Sequence, residues 1–410
     1  MLDDLGGQLM KPLRVMDLFA GCGGFAEGFR SCENGTLGGG PLFRTVTAVD
    51  HDPSALATFA ANHRPGDAEC CDIEEFDTLP FADEVDVITG GPPCQGFSSL
   101  GRQRPDDPRN ALWEEYVRVV ATVRPRVFVM ENVDRFLTSP EYAKLEEAVR
   151  PGGALADYEL AGGLLNSADY GVPQARRRVI VIGTHKDLGP PLSLPAPTHC
   201  KPLPLDTDLL LFGCPPRLES WVPVDTVFDR SSQLAITRDG LPSRVGRDGT
   251  PGPYRTDELH FGRNPVPLSL ARYRVIPAGG SRRDLRGKWA VVEGQSAYLS
   301  TSSWDNHTTG SADVMGRLRL GRPSVTIRTE FYKPEKGRYL HPSEDRPITH
   351  FEAALIQGFP EGYLWHGSKI QIARQIGNAL PVGLARALGD TIHQRLTVAT
   401  DDEADLASAR

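Results

Sequence analysis

Three features of this chain are suited to chemistry: a cysteine in a stiff turn, a carboxylate closing an apolar run, and a short run of arginines. Cys94 lies in Gly90-Gly-Pro-Pro-Cys-Gln-Gly-Phe-Ser-Ser99, directly after the apolar run Val85–Thr89. Pro92 and Pro93 each fix φ at about −65° and carry no N–H, so the turn is rigid and the thiol is held in place. A thiol presented this way can act as a nucleophile, although most free cysteines are inert core residues. Glu131-Asn-Val133 closes the run Val127–Met130 and puts its carboxylate at the same sheet edge as Cys94. There it can serve catalysis, or simply cap a helix. Gln174-Ala-Arg-Arg-Arg178 precedes the run Arg178–Gly183. Such arginines bind phosphate and a base carbonyl, or form a solvated charged face.

A fourth feature is a turn for a ligand. Asp17-Leu-Phe-Ala-Gly-Cys-Gly-Gly-Phe25 joins a strand to a helix through three glycines. Glycine permits positive φ and close approach of a ligand to the backbone. Asp50 follows at the end of the next apolar run, placed for ribose hydroxyls. Gly21-x-Gly23-x-x-Ala26 with a downstream acid fits a dinucleotide-binding turn. In a nicotinamide turn, however, the glycines follow the apolar strand directly, and here Asp17-Leu-Phe-Ala intervenes.

The elements that must position these groups read as strands at Leu13–Asp17, Thr45–Asp50, Val85–Thr89, Val127–Met130 and Arg178–Gly183. Helices are predicted from Pro53 to Asn62 and from Trp113 to Val123. Strands alternating with helices predict an α/β fold with a doubly wound, mostly parallel sheet. From about residue 185 the texture changes: Pro190-Pro, Pro195-Ala-Pro, Pro215-Pro and Gly249-Thr-Pro-Gly-Pro253 break the period and predict a second, smaller, loop-rich domain. Helical pattern returns at Ile348–Gly358 and Val382–Leu396. The expected division is therefore 1–184 plus about 346–400, a lobe over about 185–345, and a polar tail over 401–410.

The chain has 410 residues, 40% hydrophobic and 24% charged, ordinary for a soluble globular protein. No apolar run nears the ~18–20 residues of a membrane span, and the N-terminus lacks a secretory pattern. A cytoplasmic protein without a membrane partner is expected. The seven cysteines show no Cys-x-x-Cys spacing, so no metal site is expected, and a reducing compartment fits. The net charge of −8 is uneven. Residues 185–330 hold 19 Lys and Arg, 16 of them Arg, against 15 Asp and Glu, whereas the rest holds 26 against 38. Such asymmetry points to nucleic-acid contact by one lobe, or to an Arg-rich solvated surface.

Taken in order, these motifs resemble the cytosine-C5 DNA methyltransferase family over nearly the whole chain. Asp17–Phe25 is similar to the family's S-adenosylmethionine loop, and Pro92–Ser98 to its nucleophile loop. Glu131-Asn-Val resembles its acid motif and Gln174-x-Arg-x-Arg178 its arginine motif. Arg346–Pro360, closest at Gln357-Gly-Phe-Pro360, and Gln375-Ile-Gly-Asn-Ala-Leu-Pro381 resemble its last two. The resemblance implies a Rossmann-like S-adenosylmethionine-dependent enzyme that methylates C5 of a flipped-out cytosine in duplex DNA, releasing S-adenosylhomocysteine and using no metal. It implies catalytic roles for Cys94, Glu131, Arg176 and Arg178. Cofactor contacts are implied for Phe19, Ala20, Gly21, Gly23, Gly24, Asp50, His51, Asp72, Ile73, Leu112, Asn378 and Ala379. His51 stands where a larger aromatic is often found, and Thr349–Leu355 departs from the commoner form of its motif.

The implied DNA contacts are Pro93, Gln95, Ser98 and Gln174, together with Arg272, Arg274, Arg282, Arg283 and Arg286 in the target-recognition lobe. Gly279-Gly280 would let the backbone approach DNA, and Thr326 and Arg328 would face it. The implied setting is a restriction-modification or related phage-defence system, the protein a monomer with a possible cognate nuclease or defence subunit. A tRNA methyltransferase of the same fold is disfavoured by the long recognition region. An inactive homologue is disfavoured by the joint presence of Cys94, Glu131 and the arginines. A nicotinamide oxidoreductase leaves the Pro-Pro-Cys loop unexplained.

Overall fold

The computed structural model describes residues 11–32, 40–93, 112–202, 218–238, 240–246, 249–306 and 313–408. Cys94, Gln95 and Ser98 lie outside them. The apolar runs of the first part become β1 (Leu13–Leu18), β2 (Phe43–Val49), β3 (Asp67–Glu69), β4 (Val87–Gly90), β5 (Val127–Asn132) and β6 (Tyr158–Asn166). Between them lie α1 (Gly24–Arg30), α2 (Pro53–His63), α3 (Leu112–Val123) and α4 (Pro140–Ala148). The short β7 (Gln174–Ala175) and the long β8 (Arg177–His185) follow.

The residues divide into two compact units, one of 1–165, 177–196 and 382–410, the other of 166–176 and 197–381. The first carries a seven-stranded sheet ordered β3-β2-β1-β4-β5-β8-β6. β1 is parallel to β2 and β4, β2 to β3, and β4 to β5. This is the mostly parallel α/β sheet expected. Val127–Met130 is wholly buried, as a strand covered on both faces requires. The chain winds outward from β1 to β3 and restarts at β4, so the carboxyl ends of β1 and β4 flank the switch point where open α/β sheets hold ligands. β8 departs from this parallel series, running antiparallel to β5.

Local chemistry sets the helices. Asp52 caps α2 by accepting from the N–H groups of Ser54 and Ala55, with Pro53 in the first turn. α3 turns Trp113, Tyr116, Val117 and Val120 inward at helical spacing. The Tyr116 hydroxyl donates to the Val129 carbonyl at 2.9 Å.

The second unit has little regular structure. Its elements are β9 (His199–Cys200), β10 (Glu219–Ser220), α5 (Asp225–Ser231), β11 (Tyr254–Arg255), α6 (Pro267–Val275), β12 (Trp289–Val292) and β13 (Gln295–Tyr298). They continue with α7 (Ser302–Asn306), β14 (Ser324–Val325), α8 (His350–Ile356), β15 (Leu364–Trp365) and α9 (Lys369–Asn378). Buried arginines satisfy the loop carbonyls that no ladder serves. Arg317 donates to the carbonyls of Tyr273, Ile276 and His341 at 2.6–2.9 Å. Arg338 donates to those of Gly279 and Gly280 at 2.9 Å and to Asp313 at 2.8 Å. The Gly279-Gly280 turn thus receives Arg338, a different task from the DNA approach expected of it.

Residues 346–381, expected with the first 184, pack in this second unit. Arg346 grips the buried Glu352 of α8 at 2.8 and 2.9 Å, and Ser231 of α5 donates to the same carboxylate. β15 pairs with β11. From Val382 the chain returns to the first unit as α10 (Val382–Ser408), which packs on α1. It remains helical through 401–408, where a polar tail was expected. Cys22, Cys32, Cys70 and Cys71 are outside any disulfide, whereas Cys200 is disulfide-bonded. Among the described residues, no helix is long and apolar enough to cross a membrane.

The second unit is built to fail in acid. Burial alone would raise the Glu352 carboxyl, but the hydrogen bonds and charge of Arg346 outweigh it and hold the group below its ordinary value. That stabilisation is present above the carboxylate's unfolded pKa and is lost as pH falls through the folded one. Burial also lowers the His350 imidazole to about 4, despite its hydrogen bond to the Lys369 carbonyl. The unfolded chain therefore binds the extra proton first, and stability declines as pH drops from about 6.5 toward 4. Urea denaturation midpoints should fall between pH 7.5 and 5, and His350→Asn should flatten that slope. Glu352→Ala, which strands Arg346, should cost about 3–5 kcal/mol at pH 7.5.

Candidate active site

The antiparallel turn of β8 assembles the centre of the site. Because β8 opposes β5, its first residues meet the last of β5, with Glu131 opposite Ile180 and Asn132 opposite Val179. Arg178 is thereby set beside Glu131, Nε to Oε1 at 2.6 Å, both side chains largely buried. One carboxylate and one guanidinium, both sequence-predicted, thus form a pair at the carboxyl edge of the parallel strands. Arg178 also donates from Nη1 to the Arg177 carbonyl.

Two neighbours that sequence reasoning did not single out complete this edge. Asn132 donates from Nδ2 to the Pro92 carbonyl at 3.1 Å, pinning the start of the Pro-Pro-Cys turn to the strand that bears Glu131. Gly91 leaves room for the acid: a Cβ there would stand 2.8 Å from Glu131 Oε2. Both lie inside motifs already quoted, so the signal was present, but nothing in the residue types told which carried geometry.

The glycine turn after β1 is the second part. Phe19, Gly21 and Gly23 all have positive φ, the conformation for which the glycines are needed. Asp50 braces the turn, accepting from the Gly21 N–H on Oδ2 and from the Asp52 N–H on Oδ1, each at 2.8 Å. Burial raises its carboxyl and these two hydrogen bonds oppose the rise. Asp17, beneath the turn, is buried and held well above the usual carboxylate range by burial, although Thr89 donates to its Oδ1 at 3.0 Å. Its Oδ2 is buried without a hydrogen-bond partner.

Phe19, Ile73 and Leu112 belong to one apolar cluster with Leu18 and Val49. His51 is exposed beside Asp50, and Asp72 is exposed at the start of a short 3-10 turn, accepting from Glu74. An open glycine backbone, an acid with lone pairs to spare and an apolar wall fit a nucleoside-bearing cofactor such as S-adenosylmethionine. Asn378 and Ala379, expected at the same cofactor, lie at the end of α9 in the second unit.

Four residues expected to touch DNA, or to act in catalysis, serve the second unit's interior instead. Gln174 is fully buried, donating to Gln357 Oε1 at 2.6 Å and accepting from the Ile327 N–H at 2.8 Å. Arg176 is 2% exposed and donates to the carbonyls of Ile327 and Gly377. Neither can reach a phosphate; each ties β7 to segments far along the chain. Arg282 is buried and donates to the Trp304 carbonyl. Arg272 donates to Leu299 O while its guanidinium lies over the Trp304 ring, 5.1 Å from the centroid. Arg274, Arg283, Arg286 and Arg328 are exposed, and Pro93 and Thr326 are partly so.

The C-5 cytosine-specific DNA methylase family matches residues 13–217 and 256–394. The chain belongs to that family. It is accordingly an enzyme of the DNA (cytosine-5)-methyltransferase class. Type II methyltransferase M.AgeI of Thalassovita gelatinovora is 29% identical, the alignment covering 93% of this chain and 99% of that protein. M.XorII of Xanthomonas oryzae pv. oryzae is 30% identical, over 95% and 86%. A solved E. coli structure, described as a DNA modification methyltransferase encoded within a prophage, superposes with a TM-score of 0.61 at 22% identity. It covers 94% of this chain and 99% of that one, a likeness of fold.

Gly91→Ala tests the methylase site's tightest contact. Gly91 is not a positive-φ residue, so alanine suits its backbone but crowds Glu131. Because a shift of about 1 Å at a reacting group can cost about 10²-fold, single-turnover methyl transfer should fall roughly 10- to 100-fold with the thermal midpoint nearly unchanged. Undiminished transfer would show that Glu131 needs no such clearance.

Proposed function

We propose that this methylase transfers a methyl group from S-adenosylmethionine to C5 of a flipped-out cytosine within a specific sequence of duplex DNA, by way of a covalent Cys94 adduct. The observation that carries the reading is the Glu131–Arg178 pair, on an edge where Asn132 also pins the start of the Cys94 turn.

Cytosine C5 is a poor nucleophile until its ring is activated. The Cys94 thiolate adds to C6, and the displaced electron pair moves into the ring. Glu131 accepts from the exocyclic amine and, carrying a proton, donates it toward N3, which offsets the negative charge that develops there. Arg178, oriented through Nε by Glu131, presents its remaining N–H groups to the base O2. When bound, S-adenosylmethionine supplies the electrophilic methyl group that the activated C5 takes up. Loss of the C5 proton and expulsion of the Cys94 thiolate then restore the aromatic ring. Extruding the base costs a few kcal/mol of stacking and pairing, met by binding of the surrounding duplex.

The glycine turn and Asp50 would hold the cofactor's methionine part and ribose, with Phe19, Ile73 and Leu112 walling the adenine. The setting we infer is a bacterial restriction-modification or related phage-defence system. In it the enzyme acts as a cytoplasmic monomer alongside a cognate nuclease or defence subunit. The Type II relatives support that setting by name.

Purified protein with tritiated S-adenosylmethionine should label duplex DNA, and Cys94→Ser should abolish labelling while leaving cofactor binding intact. Labelling of tRNA without duplex DNA would overturn the substrate; transfer by Cys94→Ser at the wild-type rate would overturn the mechanism. Asp50→Asn, which weakens the brace on Gly21, should raise the calorimetric Kd for S-adenosylmethionine about tenfold or more.

A further inference from the structure

The β12–β13 hairpin of the second unit exposes apolar side chains on one face, where the Trp289 ring lies 5.1 Å from that of Tyr298. Glu293 and Gly294, both at positive φ, make its two-residue turn. Trp289 stands opposite Tyr298, and Val291 opposite Ser296, so these four share one face. On that face Trp289 is 63% and Val291 77% exposed. The other face carries Ala290, which packs against a core containing Tyr273, Leu285 and Leu299.

The ribbon is held firmly at its base. Tyr298 donates to Asp305 Oδ2 at 2.6 Å and accepts from the Gly287 N–H, and Ser300 donates to Asp305 Oδ1. A large aromatic left in water on a fixed ribbon marks an interaction surface.

Its surroundings say what kind. Residues 266–298, through the end of the hairpin, hold five arginines and one lysine against two acids, Asp284 and, in the turn, Glu293. Asp284 is occupied in capping its own turn. Arg283, Arg286 and Lys288, which lead directly into β12, are exposed. Cations beside an apolar edge complement the phosphates and base edges of a duplex. A two-stranded ribbon fits the major groove, roughly 12 Å wide, where the pyrimidine C5 position and the thymine methyl present an apolar surface.

We propose that this hairpin enters the major groove of the target duplex, Trp289 and Val291 reading apolar pyrimidine edges while Arg283, Arg286 and Lys288 neutralise flanking phosphates. The proposal rests on duplex DNA being the substrate. It adds a specificity element outside the catalytic edge, made of residues that the arginine pattern alone does not reveal.

The test compares wild type, Trp289→Ala/Val291→Ser and Arg286→Ala on duplexes bearing the mapped target site and on scrambled duplexes. The apolar double variant should lose at least tenfold in kcat/KM on the target while binding scrambled DNA as before, with Trp289→Phe recovering part of the loss. Arg286→Ala should weaken both duplexes and lower the salt slope of binding by about one. Both changes are at exposed positions, and thermal melts should match wild type. Unchanged target preference in the double variant would overturn the proposal, as would a change only in self-association. Failure of the wild type to methylate any duplex would instead overturn the substrate reading.

Discussion

The site depends on one inversion in the sheet. Had β8 run parallel to β5, its first residues would lie at the far edge, and Arg178 would be separated from Glu131 by the length of a strand. Antiparallel pairing brings the start of one strand to the end of the other, and the 2.6 Å contact follows from register. Asn132 and Gly91 then settle what this pair can reach: one ties down the entry of the cysteine turn, the other keeps the space beside the carboxylate empty. A buried ion pair adds little net stability, because desolvation offsets attraction. Its value here is orientation, which a strand pair enforces better than a loop can.

The arginines carry a second constraint. A lobe with two-residue strands leaves many carbonyls without ladder partners, and a buried carbonyl without a donor is costly. Arg317 and Arg338, each a planar fork of donors, serve several carbonyls apiece. Arg176 does the same for Ile327 and Gly377, while Gln174 donates to the Gln357 side chain and accepts from the Ile327 N–H. The cationic surplus of 185–330 is therefore partly internal, and overstates the charge available to DNA. Arg274, Arg283, Arg286, Lys288, Arg319, Arg322 and Arg328 are among the described cations that stay exposed.

This explains which parts of the molecule could be read beforehand. Strands and helices of the first unit announce themselves because a parallel sheet buried on both faces demands unbroken apolar runs, as at Val127–Met130. Cys94, Glu131 and the glycine turn stood out because their residue types are unusual at strand ends. The burial of Gln174 and Arg176 is not legible in the sequence, because polar groups that suit phosphate equally suit buried polar partners, and burial is set by tertiary packing. The boundary near 346 is likewise invisible in the sequence, since the Ser231–Glu352 hydrogen bond and the β11–β15 pairing join segments more than a hundred residues apart. Nothing in the sequence sets Trp289 apart; its exposure on the hairpin does.

The two carboxylates at the glycine turn show the same economy of position. Asp17 and Asp50 end adjacent strands, burial raises both carboxyls, and the Asp50 charge adds to the rise at Asp17. At Asp50 the backbone N–H groups of Gly21 and Asp52 oppose the rise by bonding both of its oxygens. Asp17 has the Thr89 hydroxyl on one oxygen, and its second oxygen is bare. Ionisation is therefore opposed more strongly at Asp17, beneath the turn, than at Asp50 beside it. Each carboxylate oxygen carries two lone pairs, so the bonds that brace Gly21 and Asp52 still leave Asp50 acceptors for a ligand's hydroxyls.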